Sequence, residues 1–262
     1  MLRYACLLAG AAAGAMYARE RRARIGLERL GAASLETILD AIDANNPDTG
    51  AHVRRVADYA LILADAADCT ERQQRSVERV ALFHDIGKID GALTDIVNET
   101  SKLTSSEREA IMRHPRRGAQ VLQPLEPFYP DLSAGVLSHH ERWDGTGYPR
   151  KLSGELIPLT ARIVAIVDTF DAITHSRSYR GAQSVSKAVE VISGGRGTQF
   201  DPDLVDLFLS EPVMECVLHS MRQLHGPRRK SAKRRAAAPR VQTPDLTFRW
   251  RTKSLVQQTA DR

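Results

Sequence analysis

The sequence predicts an all-α fold. Successive segments carry apolar residues at the three- and four-residue spacing of one helix face, and several of them open on residues that cap helices. No stretch alternates apolar and polar residues for long enough to indicate a β-strand. With 262 residues and 42% hydrophobic composition, the chain is long enough for one large helical domain with appendages.

The first half of the chain holds four predicted helices. The segment SLETILDAIDA (34–44) repeats apolar residues at helical spacing and is followed by an Asn-Asn-Pro break. A second amphipathic helix is predicted over 52–69. Two capping boxes then open further helices, T-x-x-Q at 70–73 and T-x-x-E at 104–107.

The second half continues the helical pattern. Helices are predicted over 131–142, over about 158–175 and over 184–192. Asp201 and Pro202 are typical of a helix start, because aspartate caps and proline suits the first helical position. The sequence therefore predicts helices from residue 34 to beyond residue 202, without internal repeats.

Charge divides the chain into three parts. Residues 226–262 carry a net charge of +9 and residues 1–30 carry +4, whereas residues 31–225 carry −8. The sequence thus predicts a short N-terminal segment (1–30), a main domain (31–225) and a basic tail (226–262). The tail lacks apolar periodicity, which predicts disorder. A solubilising or targeting role for it and contact with anionic lipid or nucleic acid both remain open.

The compartment is predicted from the N-terminus and the cysteines. Residues 4–18 carry no charge and precede RERRAR. This stretch is short for a membrane span, and a signal-peptide core, an anchor held at the inner face and an alanine-rich helix remain open. Three scattered cysteines indicate a reducing compartment. We expect a cytoplasmic protein, with peripheral or anchored attachment to the inner membrane face as the alternative.

The six-residue motif FHDIGK (83–88) carries candidate catalytic groups. His84 and Asp85 follow an apolar run, and Lys88 lies four residues after His84. A buried carboxylate needs a pairing cation or a metal. A hydroxide-bridged metal pair that attacks phosphorus needs a bridging carboxylate, surrounding imidazoles and a cation for the developing charge. Asp85, His84 and Lys88 suit those three roles.

Further metal-ligand types recur along the chain. Each histidine alone is more often a satisfied core or surface residue, but together they favour a metal cluster. Asp168 lies in the otherwise apolar segment ARIVAIVDTFDAI, where an unpaired carboxylate is costly. The candidate ligands are His52, His84, Asp85, His114, His139, His140 and Asp168.

A glycine-rich turn, DGTGYP, follows the histidine pair. Gly145 and Gly147 allow close approach of the backbone to a ligand, although a plain tight turn is the simpler interpretation. Arg177 and Arg180 suit a phosphodiester, or alternatively form a solvated helix end.

These motifs resemble the HD-GYP branch of the HD metal-dependent phosphohydrolase superfamily, which hydrolyses cyclic di-GMP. The resemblance extends over about 34–211. It rests on TGAHVRRV, HDIGK, RHP, HHERWDGTGYP, DTFDAITHSRSYR and FDPDLVDLF. It implies an HD-type helical bundle.

The resemblance also implies the ligand set. The seven candidate ligands correspond to the family's metal ligands, with Asp85 bridging a binuclear centre of iron or manganese. Some members hold a third metal through a glutamate whose position is Asp48 here. We expect two metals.

The resemblance implies a substrate and its contacts. The expected reaction is hydrolysis of cyclic di-GMP to pGpG, and further to GMP, by attack of the metal-bridging hydroxide. Other nucleotides as substrates, or binding of a cyclic dinucleotide or a partner without hydrolysis, are the alternatives. A diguanylate cyclase or another signalling protein is a partner expected at the GYP turn, and the oligomeric state is open. The expected substrate contacts are Lys88, Gly145, Gly147, Tyr148, Pro149, Asp171, Arg177 and Arg180.

Two segments depart from the family pattern. The family usually continues after the HD lysine as Ile-Pro-Asp and later Lys-Pro-Gly, whereas residues 89–104 read IDGALTDIVNETSKLT. The usual RPYR is RSYR at 177–180. Both changes are expected beside the pocket, where they bear on substrate choice and rate.

Overall fold

The computed structural model describes residues 2–88, 104–175 and 181–225. Over these residues the chain is helical and forms no strand, with a single β-bridge between Arg196 and Phe200. The all-α prediction is confirmed. The helices are α1 (Leu2–Asn45), α2 (Pro47–Ala66), α3 (Glu71–Phe83), α4 (Ser105–Met112), α5 (His114–Leu122), α6 (Leu132–Ser138), α7 (Leu159–Thr174), α8 (Val185–Gly194), α9 (Pro202–Phe208) and α10 (Glu211–His225).

The N-terminal helix is longer than the sequence predicts. The helix expected over 34–44 is the last part of α1, which runs from Leu2 without a break. The chain divides into two compact units, Met1–Ala41 and Ile42–Arg262. The domain bounds 1–30, 31–225 and 226–262, and the disorder of the basic tail, stay predictions because residues 226–262 lie outside the described part of the chain.

None of the helices within residues 2–88, 104–175 and 181–225 combines the length and the apolar character that crossing a bilayer requires.

Polar caps start the helices that carry the site. The Asn46 side chain accepts hydrogen bonds from two backbone N–H groups of the first turn of α2, which begins with Pro47. Both predicted capping boxes are confirmed, with Thr70 opening α3 and Thr104 opening α4. Local sequence therefore fixes where these helices begin.

The core surrounds α7. Helix α2 packs against α3, α7 and α10, and α3 also packs against α7. The ring of Phe170 on α7 contacts Tyr59 on α2 at 5.7 Å and Phe208 on α9 at 5.4 Å, both edge to face. Helix α7 is thus held on several sides, and any polar side chain on it has a fixed position.

A close approach of two backbones brings the HD turn to α5. Gly87 lies in the 3₁₀ turn Ile86–Lys88. A Cβ atom on Gly87 would lie 2.1 Å from the carbonyl oxygen of His114 and 2.7 Å from the backbone nitrogen of Gly118. Only glycine allows this contact, which sets Asp85 and Lys88 beside the start of α5.

We predict that Gly87→Ala separates the HD turn from α5. The added methyl group overlaps backbone atoms that cannot rotate away, so the free energy of unfolding is expected to fall by about 2 kcal/mol. Gly194→Ala is the matched control, since nothing lies within 4 Å of a Cβ at that position. Urea unfolding of both variants measures the effect, and equal stability of the two would contradict the packing argument.

A second prediction concerns Asp58 on α2. Burial raises the pKa of Asp58 to about 6, above its usual 3.8. The folded chain therefore keeps this proton more tightly than the unfolded chain, and stability is lost as the pH rises through about 6.

The substitution Asp58→Asn removes this pH dependence of the free energy of unfolding. We expect the variant to be more stable than the wild type at pH 8 by on the order of 1 kcal/mol, with the difference vanishing near pH 4. Urea unfolding across this pH range tests the prediction, with the exposed Asp40→Asn as control. A difference that does not change with pH would contradict it.

Candidate metal centre

Six of the predicted ligands form two groups of three. Within each group, the candidate ligand atoms all lie within 4.8 Å of one another. The side chains come from the second turn of α2, the start of α5, the ends of α3 and α6, and the middle of α7. One group is His52, His84 and Asp168, and the other is His114, His139 and His140.

Asp85 lies between the two groups. Its Oδ1 atom is 3.3 Å from Nε2 of His114 and 3.9 Å from Nε2 of His139. Its Oδ2 atom is 3.6 Å from Nε2 of His84 and 2.8 Å from Nζ of Lys88. One carboxylate oxygen thus faces each group, which is the geometry that a bridging carboxylate requires.

Three of the imidazoles are oriented by the helix ends that carry them. Each ring donates its Nδ1 proton to the carbonyl of the residue three positions earlier, in the last turn of a helix, where carbonyls lack the usual intrahelical donor. The three bonds, of 2.6 to 2.7 Å, join His84 to Ala81, His114 to Ile111 and His139 to Val136. This fixes the tautomer with a lone pair on Nε2, which faces the cluster.

These bonds also explain why α6 is shorter than predicted. The sequence predicts a helix over 131–142, but α6 ends at Ser138. Nδ1 of His139 donates to the carbonyl oxygen of Val136, and the chain turns there instead of continuing as a helix. The helix end therefore coincides with the ligand pair His139 and His140.

A carboxylate orients the fourth imidazole. Nδ1 of His52 lies 2.6 Å from Oδ2 of Asp171, and its Nε2 lies 3.3 Å from Oδ1 of Asp168. Arg55 and His175 also bind the Asp171 carboxylate, at 2.7 and 2.9 Å. In the described residues the Asp171 carboxylate binds His52, Arg55 and His175, and its expected contact with substrate stays a prediction. Asp171 is 1% exposed, and its carboxylate accepts the hydrogen bond from Nδ1 of His52.

The protonation states suit metal binding. Burial lowers the pKa of His84, and it lowers the pKa of His140 to about 3, so these rings are neutral at physiological pH. Burial alone would raise the pKa of Asp85, but Lys88, His84 and the neighbouring imidazole of His114 outweigh it and hold the pKa well below its usual range. Neutral imidazoles and ionised carboxylates are what a divalent cation binds.

His52 carries a proton in this arrangement. Burial alone would lower its pKa, but hydrogen bonds to Asp168 and Asp171 raise it to about 9. A cation at this position would take the place of that proton beside two carboxylates. The site therefore attracts positive charge.

The residues present fit divalent metal ions. Nε2 of His84 is buried and has no hydrogen-bond partner, and its neighbours at 3.6 and 3.8 Å are oxygens of Asp85 and Asp168. A buried polar atom without a partner is costly unless something binds it. Imidazole and carboxylate donors suit iron, manganese and zinc.

The glycine-rich turn lies directly over the cluster. The ring of Tyr148 is stacked on that of His140, with centroids 4.9 Å apart and planes 25° apart. Gly145 has a φ of 78°, which favours glycine, and a Cβ on Gly147 would lie 2.4 Å from a backbone nitrogen. The turn therefore lies beside the candidate ligand His140, and the expected substrate contacts of Gly147, Tyr148 and Pro149 stay predictions.

Other predicted residues lie outside this cluster. Asp48 is exposed in the first turn of α2, one turn before His52, and is not among the two groups of close ligand atoms found in the described residues. Arg177 and Arg180 lie in 176–180, outside the described residues, as does the unusual segment 89–103.

Three supporting residues were missed by the sequence analysis. Arg55 and His175 fasten Asp171, and Glu141 accepts hydrogen bonds from the glycine-rich turn. Their spacing offered a signal: Arg55 lies one helical turn after His52, His175 one turn after Asp171, and Glu141 directly after His140.

Comparison with known proteins agrees with this geometry. A family model described as HD domain matches residues 36–204. The cyclic di-GMP phosphodiesterase response regulator RpfG of Xanthomonas campestris is 38% identical over 178 residues, covering 67% of this chain and 47% of RpfG. The cyclic di-GMP phosphodiesterase PA4108 of Pseudomonas aeruginosa is 32% identical, covering 79% and 54%.

A third relative has a different named substrate. The 3′3′-cGAMP-specific phosphodiesterase 3 of Vibrio cholerae is 37% identical over 175 residues, covering 65% of this chain and 38% of that protein. The chain spans about half or less of the length of these curated relatives.

Solved structures share the fold. An HDG"Y"P protein from Bdellovibrio bacteriovorus matches with a TM-score of 0.52 and 18% identity, covering 69% of this chain and 60% of that chain. The HD domain of the Listeria monocytogenes phosphodiesterase PgpH, in complex with cyclic-di-AMP, matches with a TM-score of 0.52 and 18% identity, covering 73% and 98%. The match of the family model, the ordered ligand motifs and the shared helical fold lead to one conclusion: the chain belongs to the HD domain family.

Proposed function

We propose that this chain is a metal-dependent phosphodiesterase that hydrolyses cyclic di-GMP to the linear dinucleotide pGpG. The observation that carries the proposal is the Asp85 carboxylate, with one oxygen facing each of two ligand triads. The names of relatives such as RpfG and PA4108 support the substrate.

The proposed centre holds two divalent cations, iron or manganese. His52, His84 and Asp168 would hold one, His114, His139 and His140 the other, and Asp85 both. When bound, the cations supply Lewis-acid activation of a water and of the phosphodiester. The exposed position of Asp48 supports two ions instead of three.

The chain's own residues supply orientation and charge. Four imidazoles are fixed by their Nδ1 bonds, so their Nε2 atoms face the reaction centre. The ammonium of Lys88, 2.8 Å from Asp85, adds positive charge where the negative charge of a phosphorane would develop. Tyr148 and the glycine turn form one wall beside His140, where a nucleotide can approach closely.

Several finer assignments belong to this proposal. Arg177 and Arg180 bind the second phosphate of the dinucleotide, by analogy of their motif with the family. The GYP turn offers a surface to signalling proteins such as a diguanylate cyclase. The basic tail 226–262 contacts anionic lipid or nucleic acid, and the chain works in the cytoplasm or at the inner face of the membrane.

Turnover of cyclic di-GMP by protein reconstituted anaerobically with Fe(II) or Mn(II) tests the function. We expect pGpG as product, with GMP measured as the product of a second cleavage. Asp85→Asn is expected to lower kcat by at least about 100-fold, because the bridging charge is lost. Asp206→Asn, which breaks a surface ion pair with Arg196, is the control. Metal-loaded wild-type protein that releases no product would defeat the proposal.

A panel of cyclic dinucleotides, assayed in parallel, distinguishes between the candidate substrates. The identity to a 3′3′-cGAMP-specific enzyme favours 3′3′-cGAMP as the second candidate substrate. Equal amounts of cyclic di-GMP, 3′3′-cGAMP and cyclic di-AMP give the ratio of kcat/KM values that defines specificity. Tight binding of a dinucleotide without cleavage would instead indicate a binding domain.

We predict that Asp171→Asn weakens metal binding by about 10- to 100-fold. The amide keeps the shape of the side chain but removes the charge that holds the Nδ1 proton of His52, so that ring loses its orientation. Competition with a chromogenic chelator measures the affinity, with Asp206→Asn again as control. Unchanged affinity would show that His52 needs no such support.

A further inference from the structure

A buried carboxylate fastens the turn that covers the cluster. Glu141 is 3% exposed, although it directly follows the ligand His140. Its Oε1 atom accepts a hydrogen bond from the backbone N–H of Arg150 at 2.7 Å, and its Oε2 atom accepts one from that of Leu152 at 3.1 Å. Both oxygens are thus used by the far end of the glycine-rich turn.

The turn folds back over the residues on either side of Glu141. The backbone N–H of Tyr148 donates to the carbonyl of His140 at 3.2 Å. A Cβ on Gly147 would lie 2.6 Å from Cα of Glu141, so the two backbones are in direct contact. The stacking of Tyr148 on His140 depends on this return of the chain.

Separate bonds hold the outer side of the turn. The backbone N–H groups of Trp143 and Asp144 donate to carbonyls of Gln199 and Thr198, at 3.2 and 2.8 Å. The side chain of Arg150 donates to Ser138 at 2.6 Å. Within the span 145–149, Gly145 and Thr146 bind Arg142 and Asp144. The two bonds to Glu141 hold the segment that follows Pro149 against the backbone beside His140.

We propose that Glu141 is a positioning residue that sets the affinity for the dinucleotide by holding Tyr148 and the glycine turn against His140. Its oxygens face backbone N–H groups of the turn, so it acts through the wall of the pocket and not as a metal ligand. The kinetic part of this inference rests on the proposed function, whereas the conformational part does not.

Glu141→Gln tests the inference. Glutamine has the same size, but its amide nitrogen is a donor and meets one of the two N–H groups, so at least one hydrogen bond is lost. We expect KM for cyclic di-GMP to rise about tenfold, the change that loss of a buried hydrogen bond produces. We expect kcat within about twofold of the wild type and unchanged metal content, because every ligand is retained.

Tryptophan fluorescence gives a readout without substrate. The chain has two tryptophans, and Trp250→Phe leaves Trp143 as the reporter. Its carbonyl accepts the backbone N–H of Gly154 at 2.9 Å, two residues beyond Leu152, which Glu141 binds. We expect Glu141→Gln to make Trp143 more accessible to iodide quenching while the melting temperature and circular dichroism remain those of a folded protein. Glu155→Gln, which removes an exposed carboxylate from the following 3₁₀ turn Gly154–Leu156, is the matched control and should change neither quenching nor KM.

The outcomes separate the alternatives. Wild-type quenching and wild-type KM in Glu141→Gln would overturn the inference, and loss of bound metal would overturn it in favour of a role at the metal centre. If Glu141→Gln does not fold, Glu141→Asp, which keeps the charge but is one methylene shorter, must shift KM and quenching in the same direction. If the wild-type chain does not hydrolyse cyclic di-GMP, the proposed function fails, and quenching of Trp143 alone decides the role of Glu141.

Discussion

The arrangement depends on hydrogen bonds between buried imidazoles and the carbonyl groups at helix ends. A helix leaves its last carbonyls without intrahelical partners. In this chain, rings at the ends of α3, α4 and α6 use those carbonyls, and each ring thereby directs its other nitrogen to a common centre. The same hydrogen bond gives the carbonyl at the helix end a donor and fixes the tautomer of the imidazole. Ligands far apart in sequence can therefore converge without a dedicated scaffold for each.

Electrostatics follows from this geometry. The C-terminal ends of α3 and α6 present partial negative charge, and the largely buried Asp85 and Asp168 add full negative charge. In the metal-free chain, Lys88 pairs with Asp85, and a raised pKa keeps a proton on His52. Both cations lie beside positions where the ligand triads would hold metal ions. The polarity of the cluster is thus complementary to divalent cations, independently of the names of related proteins.

The sequence was sufficient for features that are local. Thr70 and Thr104 start their helices as their capping boxes predict, and the apolar segment around Asp168 is a buried helix. Even the convergence of the seven ligand candidates followed from residue types and the order of the motifs. The end of α6 was not predicted, because helical periodicity continues through residue 142, whereas the ring of His139 donates to the carbonyl of Val136 and the helix ends at Ser138. Periodicity likewise places Asp171 one turn from Asp168 but does not tell which groups its oxygens bind, and these include His52 and Arg55.

Two buried carboxylates support the cluster from different sides. Asp171 acts on the ring of His52 across more than a hundred residues of chain, whereas Glu141 acts on the turn next to His140, its neighbour in sequence. The first fixes a ligand atom and the second fixes a wall beside the ligands, so loss of the first is felt in metal affinity and loss of the second in the shape of the pocket. This division explains why the motif HHERWDGTGYP is much longer than its two ligands require. Under the proposed function, the residues that follow His140 form the surface beside which the substrate binds, and they belong to the same stretch of backbone as the candidate ligands His139 and His140.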